Sequence, residues 1–236
     1  MRLLLGSGGF ATEDRRDFLV ERMREHFGGV STILFVPYAI QDHDRYLRRL
    51  AEARLDAGYE LQGIHRAADP AQAVDRAQAI YVGGGNTFRL AKALHDHGLI
   101  EPIRRRVREG VPYMGVSAGS NVACPTIQTT NDMPIVAPPS FEALDLVPFQ
   151  INPHYFSGHT FVRKEDGFQE HFGETRDDRI REYHEEEARV VVGLWEGAVL
   201  LVGDDRVRLV GGDARVFPRG AEPFDVRAGA QLDGLS

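Results

Sequence analysis

Short apolar runs alternate with helical patterns through the first half of this chain, and that alternation constrains its fold more than any other feature. Residues 3–5, 32–36, 60–64 and 79–82 are apolar or β-branched runs of strand length. Helical spacing separates them. Between Asp42 and Gly58, for example, Tyr46, Leu50, Ala53 and Ala57 recur at intervals of four, three and four, which lines one helix face and leaves Gly58 to cap its C-terminus. Strand and helix in strict alternation predict an α/β fold with a mostly parallel central sheet and helices on both faces. After about residue 188 the pattern changes. The runs 190–194, 198–202, 207–210 and 215–217 are separated by Gly- and Asp-containing turns and predict an antiparallel meander that extends the sheet at its C-terminal end. No long linker or internal repeat breaks the chain, so residues 1–236 read as one domain, and 42% hydrophobic content is enough for a full core. The polar segment 157–173, with Gly158 and Gly167, reads as a long loop of the kind that forms lids.

Charge and cysteine usage exclude several classes. A net charge of −7 argues against broad capture of nucleic acid or of an anionic membrane surface. The apolar start, Met1 to Gly6, is too short for a signal peptide, and no run approaches the roughly 20 apolar residues that cross a bilayer. A lone Cys124 forms no intrachain disulfide and fits a reducing compartment, so a cytoplasmic protein is expected.

Gly115-Val116-Ser117-Ala118-Gly119 fits G-x-S-x-G directly after the apolar run 111–114. There the glycines let a strand turn sharply into a helix, which exposes the serine hydroxyl at the sheet's carboxyl edge beside free helix N–H groups. A serine needs a base, and the base needs a third group to hold its tautomer. Of nine histidines, His26, His95, His97 and His184 lie in helical patterns that suggest solvated side chains, whereas His65 and His154 each follow a strand-like run. His154 is the better placed, because Asn152-Pro153 stops the preceding strand abruptly and restricts Asn152 to extended conformations. Glu196, at the end of the run 190–195 and before Gly197, is a candidate acid in a tight hairpin; an exposed turn glutamate is the plainer account. Asp132, among the hydroxyls and amide of Thr129-Thr130-Asn131-Asp132, is its rival.

Two glycine loops remain. Gly83-Gly84-Gly85-Asn86 follows a strand and precedes a helix, where consecutive N–H groups face either an oxyanion or a phosphate; Gly84 or Gly85 would then act with Ala118. Gly6-Ser7-Gly8-Gly9-Phe10-Ala11 matches G-x-G-x-x-A after the first strand, but the ribose-binding acid expected about 20 residues later is missing. A nucleotide-binding module therefore stays as an alternative from another class. No phosphate-loop lysine and no H-E-x-x-H zinc motif is present.

Taken together, the strings Val82-Gly83-Gly84-Gly85-Asn86-Thr87-Phe88, Ser117-Ala118-Gly119, Ala123-Cys124-Pro125-Thr126-Ile127, Thr129-Thr130-Asn131-Asp132-Met133-Pro134-Ile135-Val136, Gln150-Ile151-Asn152-Pro153-His154 and Gly173-Glu174-Thr175-Arg176 resemble the peptidase E family of α-aspartyl dipeptidases. The resemblance implies a glutamine-amidotransferase-like α/β fold and hydrolysis of dipeptides that begin with aspartate. It maps the nucleophile to Ser117, the base to His154 and the acid to Glu196, the oxyanion donors to Gly85 and Ala118, and substrate binding to Arg176, Asn86 and Asp132. A planar guanidinium at Arg176 suits an aspartyl carboxylate. No metal and no cofactor is implied. The expected partner is a small peptide, with a homodimer as the candidate assembly and neither nucleic acid nor membrane. Two departures stand out: a longer segment between His154 and Gly173, and Trp195 where proline is usual, which keeps Asp132 as reserve acid. A cyanophycinase-like hydrolase of β-aspartyl material is the nearest enzymatic alternative.

Overall fold

The computed structural model describes residues 1–203, 206–232, 234 and 235. Its first half runs β1 (Arg2–Gly6), α1 (Glu13–Phe27), β2 (Thr32–Val36), α2 (His43–Glu52), β3 (Glu60–Gly63), α3 (Pro70–Arg76), β4 (Ile80–Val82), α4 (Thr87–Asp96), α5 (Ile100–Arg108), β5 (Tyr113–Val116) and the short α6 (Ala118–Asn121). The second half contributes β6 (Gln150–Asn152), β7 (Phe161–Lys164), β8 (Gly167–Glu170), α7 (Arg176–Glu186), β9 (Val191–Leu194), β10 (Val199–Gly203), β11 (Arg206–Val210), β12 (Ala214–Phe217) and β13 (Phe224–Val226).

Strands β3, β2, β4, β5 and β1 lie side by side in that order and pair in parallel, and β10 and β11 continue the same sheet antiparallel from β1. The apolar runs of the parallel strands are buried on both faces because side chains alternate along a strand. Leu3, Leu5, Leu34, Val36, Ile80, Val82 and Tyr113 enter one cluster, where α3, α4 and α5 add Val74, Leu90, Leu94, Ile103 and Val107. Leu4, Ile33, Phe35, Tyr81 and Met114 enter the other, where α1 and α2 add Leu19, Met23, Phe27, Leu47 and Leu50. Helices therefore cover both faces, as the alternation predicts.

The C-terminal strands depart from a simple meander. Strands β13, β12, β9 and β6 form a second, four-stranded sheet, whose Ile151, Val192, Leu194 and Val216 pack into the α3–α5 cluster. The chain thus changes sheets between β9 and β10, at the turn that carries Glu196, so this turn is a crossover and not the hairpin expected. Gly197, with φ of +84°, makes the change of direction possible. Segment 157–173 is likewise more ordered than a loop: β7 and β8 pair as an exposed antiparallel hairpin. The helix expected over 42–58 ends at Glu52. Arg54 and Ala57 adopt positive φ, and the Asp56 carboxylate accepts the Gly58 N–H at 3.0 Å, so Gly58 closes a turn into β3 and caps no helix. His26 is no solvated helix residue either, since its Nε2 lies 3.0 Å from the Tyr113 carbonyl and burial pushes its pKa down to about 4. Among the described residues no helix is long and apolar enough to cross a membrane.

Candidate active site

Parallel pairing brings the carboxyl ends of β1, β4 and β5 together, with Gly6 opposite Val116 and Val82 opposite Gly115. Ser117 stands just past β5 in a strained conformation, φ +55° and ψ −112°. Both flanking glycines are sterically required. A methyl group at Gly115 would lie 2.3 Å from the Gly119 carbonyl oxygen, and one at Gly119 would lie 2.1 Å from that of Val82. The strand can turn this sharply, and α6 can pack this closely on β4, only with hydrogen at both positions.

The second sheet supplies what the serine lacks. Asn152 at the end of β6 lies opposite Gly193 of β9, so the residues that follow these two strands emerge at the same rim. His154 Nε2 is 2.8 Å from Ser117 Oγ, and His154 Nδ1 is 2.7 Å from Glu196 Oε1. A carboxylate at Nδ1 fixes the proton there, which leaves Nε2 to accept the serine hydroxyl. His154 itself adopts φ of +56°, a second strained residue in the same site. Trp195, beside the acid, packs its ring edge-on against Tyr155 with centroids 5.8 Å apart, and its backbone N–H donates to the Asp213 carbonyl at 3.2 Å. Beside Trp195, Glu196 is presented to the imidazole.

Other candidates sit elsewhere. His65 bonds Asp44 on α2 at 3.0 Å. Asp132 faces Thr87 and Thr130: its Oδ2 accepts the Thr87 N–H at 2.8 Å and the Thr87 and Thr130 hydroxyls at 2.7 and 3.2 Å. That carboxylate caps α4, and the acid beside His154 is Glu196. Asn86 also caps α4, accepting the Arg89 N–H at 3.0 Å, while its amide donates to the Met133 carbonyl at 2.9 Å. Asn86 and Asp132 thus pin the 130–134 loop to the glycine loop after β4.

Over Ser117 that glycine loop runs at contact distance, since a methyl group at Gly84 would touch Ser117 Cβ at 3.1 Å. Burial pushes the pKa of the Tyr46 hydroxyl up to about 12, against the opposing effect of the nearby Gly84 backbone. Gly85, with φ of +135°, fits against the Ala39 carbonyl, where a methyl group would lie 2.7 Å away.

Arg176 opens α7, which Thr175 and Asp178 cap reciprocally. Its Nη1 donates to Asn131 Oδ1 at 2.6 Å, its guanidinium lies 5.3 Å from the Phe156 ring centre, and its Nε is buried without a partner. Burial, then Arg179, lowers its pKa, and Asp132 opposes them. Asn131 also donates to the Pro153 carbonyl at 2.7 Å, so one amide joins the arginine to the residue before His154. Sequence reasoning did not single out Asn131; its place inside the Thr-Thr-Asn-Asp string was the available signal.

A strained serine between strand and helix, bonded to an imidazole that is bonded to a carboxylate, places this α/β protein in the class of serine hydrolases. Comparison with known proteins narrows the class. The model of peptidase family S51 matches residues 2–210, and the chain belongs to that family. It is 47% identical over 239 residues to peptidase E of Streptomyces coelicolor, covering 100% of this chain and 95% of that protein. With a probable alpha-aspartyl dipeptidase of Drosophila melanogaster it shares 47% identity over 190 residues, 80% of this chain and 76% of the relative. The crystal structure of a putative peptidase E protein from Listeria monocytogenes superposes with a TM-score of 0.62 at 22% identity, covering 97% and 98% of the two chains.

Proposed function

We propose that this protein is a serine dipeptidase that hydrolyses dipeptides with an N-terminal L-aspartate. The observation that carries the mechanism is the unbroken hydrogen-bond path from Ser117 Oγ through His154 to Glu196. The names of the relatives, peptidase E and probable alpha-aspartyl dipeptidase, support the substrate class.

In this reading Ser117 Oγ attacks the carbonyl carbon that follows the aspartate as its proton passes to His154 Nε2. Glu196 stabilises the imidazolium so formed. Negative charge develops on the carbonyl oxygen between the N–H groups of Gly85 and Ala118. Collapse breaks the C–N bond, His154 returns the proton to the leaving amine, and an aspartyl ester remains on Ser117. Water then attacks the ester with His154 again as base, which releases aspartate and restores the hydroxyl. Arg176 pairs with the aspartyl side-chain carboxylate; its partly desolvated guanidinium favours an anionic ligand, and an uncharged asparagine would leave it underpaired. The buried free Cys124 is in keeping with a cytoplasmic setting.

Steady-state hydrolysis of Asp-Leu, Asn-Leu and β-Asp-Leu tests the proposal. Asp-Leu should be the preferred substrate and Ser117→Ala should abolish its turnover. Preference for the β-linked peptide would move the enzyme to the cyanophycinase-like alternative, and an active Ser117→Ala would remove the nucleophile.

A further inference from the structure

The first glycine loop, Ser7-Gly8-Gly9, plays no part in the mechanism above, yet it touches both residues that serve Ser117. We infer that this loop holds the base and the acid in register and that Ser7 is the positioning residue for His154. The inference rests on reading Ser117, His154 and Glu196 as the catalytic set.

Ser7 follows β1 and is fully buried. Its hydroxyl donates to the Leu194 carbonyl at 2.8 Å and accepts the His154 N–H at 2.8 Å, and its own N–H donates to the Ala198 carbonyl at 2.9 Å. One small side chain thus ties the large sheet to the end of β9 and to the backbone of the histidine. That bond matters because His154 is held at a positive φ, a conformation that persists only where its surroundings over-determine it. Removing the hydroxyl would leave the part-buried His154 N–H without this partner, while the Leu194 carbonyl keeps the Tyr155 N–H, and the cheapest relief is a shift of the His154 backbone.

The two glycines complete the support from below. A methyl group at Gly8 would lie 2.3 Å from His154 Cε1, and one at Gly9 would lie 2.3 Å from Glu196 Oε2. The Gly8 carbonyl accepts the Gly197 N–H at 2.8 Å, which fixes the turn that carries the acid. The backbone therefore forms a floor under the ring and the carboxylate. The close approach that the G-x-G-x-x-A match suggested for a pyrophosphate is taken up by the protein's own side chains, so the nucleotide-binding alternative loses the first of its two glycine loops.

Kinetics of Ser7→Ala and Gly8→Ala on Asp-Leu test this, each assayed below its melting midpoint. Since Ser7 touches no reacting atom, kcat should fall about 10- to 100-fold in both, the scale of an ångström-sized misplacement, with KM changed by less than about twofold. Ser7→Cys, which keeps a weak donor and acceptor, should fall between alanine and wild type. Met23→Ala, a cavity in the distant α1 cluster, should lower the melting midpoint and leave kcat intact. Wild-type kcat in folded Ser7→Ala or Gly8→Ala would overturn the inference, as would a loss that tracks stability alone in the manner of Met23→Ala. Full activity in Ser117→Ala would instead overturn the reading beneath it.

Discussion

Replacing Glu196 by glutamine keeps the side chain's shape and removes its charge, so the lost charge pair sets the smallest effect expected and any loss of the Nδ1–H tautomer adds to it. With Nδ1 and Oε1 2.7 Å apart, the imidazolium and carboxylate charges sit about 4 Å from each other. At that separation their attraction is about 1 kcal/mol in bulk water and about 4 kcal/mol at the effective dielectric of a protein surface. The His154 and Glu196 side chains are 41% and 42% exposed, so solvent screening puts the value between these limits. A loss of about 1–3 kcal/mol in transition-state stabilisation corresponds to a kcat reduced about 5- to 150-fold. Steady-state hydrolysis of Asp-Leu by Glu196→Gln reads this directly. Asp132→Asn is the companion measurement, because its carboxylate caps α4 and an amide oxygen can still accept the Thr87 N–H; its kcat should stay within a few-fold of wild type. A Glu196→Gln enzyme within twofold of wild type, or a deeper loss in Asp132→Asn, would refute the assignment of the acid.

Arg176→Ala should reduce the preference for Asp-Leu over Asn-Leu by about 10- to 150-fold, the worth of a charge-assisted hydrogen bond of about 1.5–3 kcal/mol, and an unchanged ratio would remove it as the carboxylate reader. His26 couples stability to acidity: burial holds its folded pKa at about 4 against 6.5 when unfolded, the Tyr113 carbonyl opposes that shift and Arg2 adds to it. Its contribution is therefore complete above about pH 6.5 and is lost as pH falls towards 4, by about 3 kcal/mol at most. Urea midpoints of wild type should fall across that interval more steeply than those of His26→Gln, and equal slopes would count against the effect. Gly119→Ala places a methyl group 2.1 Å from the Val82 carbonyl oxygen and should cost about 3 kcal/mol or more in denaturant unfolding; a wild-type midpoint would contradict the close packing of α6 on β4.

The parts of the fold legible from sequence are those with a strong period or a rigid local rule. Strands β1, β2 and β4 read clearly because their side chains are buried on both faces and form unbroken apolar runs. Ser117 read clearly because only glycine tolerates the contacts at positions 115 and 119. Assignment of the C-terminal strands to sheets did not, since β9 and β10 carry the same apolar character and pairing partners are set by distant segments. The hairpin within 157–173 escaped notice because every residue of its two strands is exposed and they show no buried face. Ser7 was hidden for another reason: its loop matched a ligand-binding pattern, and only the folded arrangement shows that the groups filling the space beside its glycines are His154 and Glu196. Asp132 and Glu196 were both sound candidates on local grounds. What separates them is a contact across 42 residues of chain, from His154 to Glu196.

Covalent labelling tests the central claim most directly. A fluorophosphonate should inactivate the enzyme with one adduct per chain, and peptide mass spectrometry should locate that adduct on Ser117, with His154→Ala slowing the labelling by orders of magnitude. Complete loss of activity with the adduct on another residue, or full Asp-Leu hydrolysis by a chain fully modified at Ser117, would contradict it.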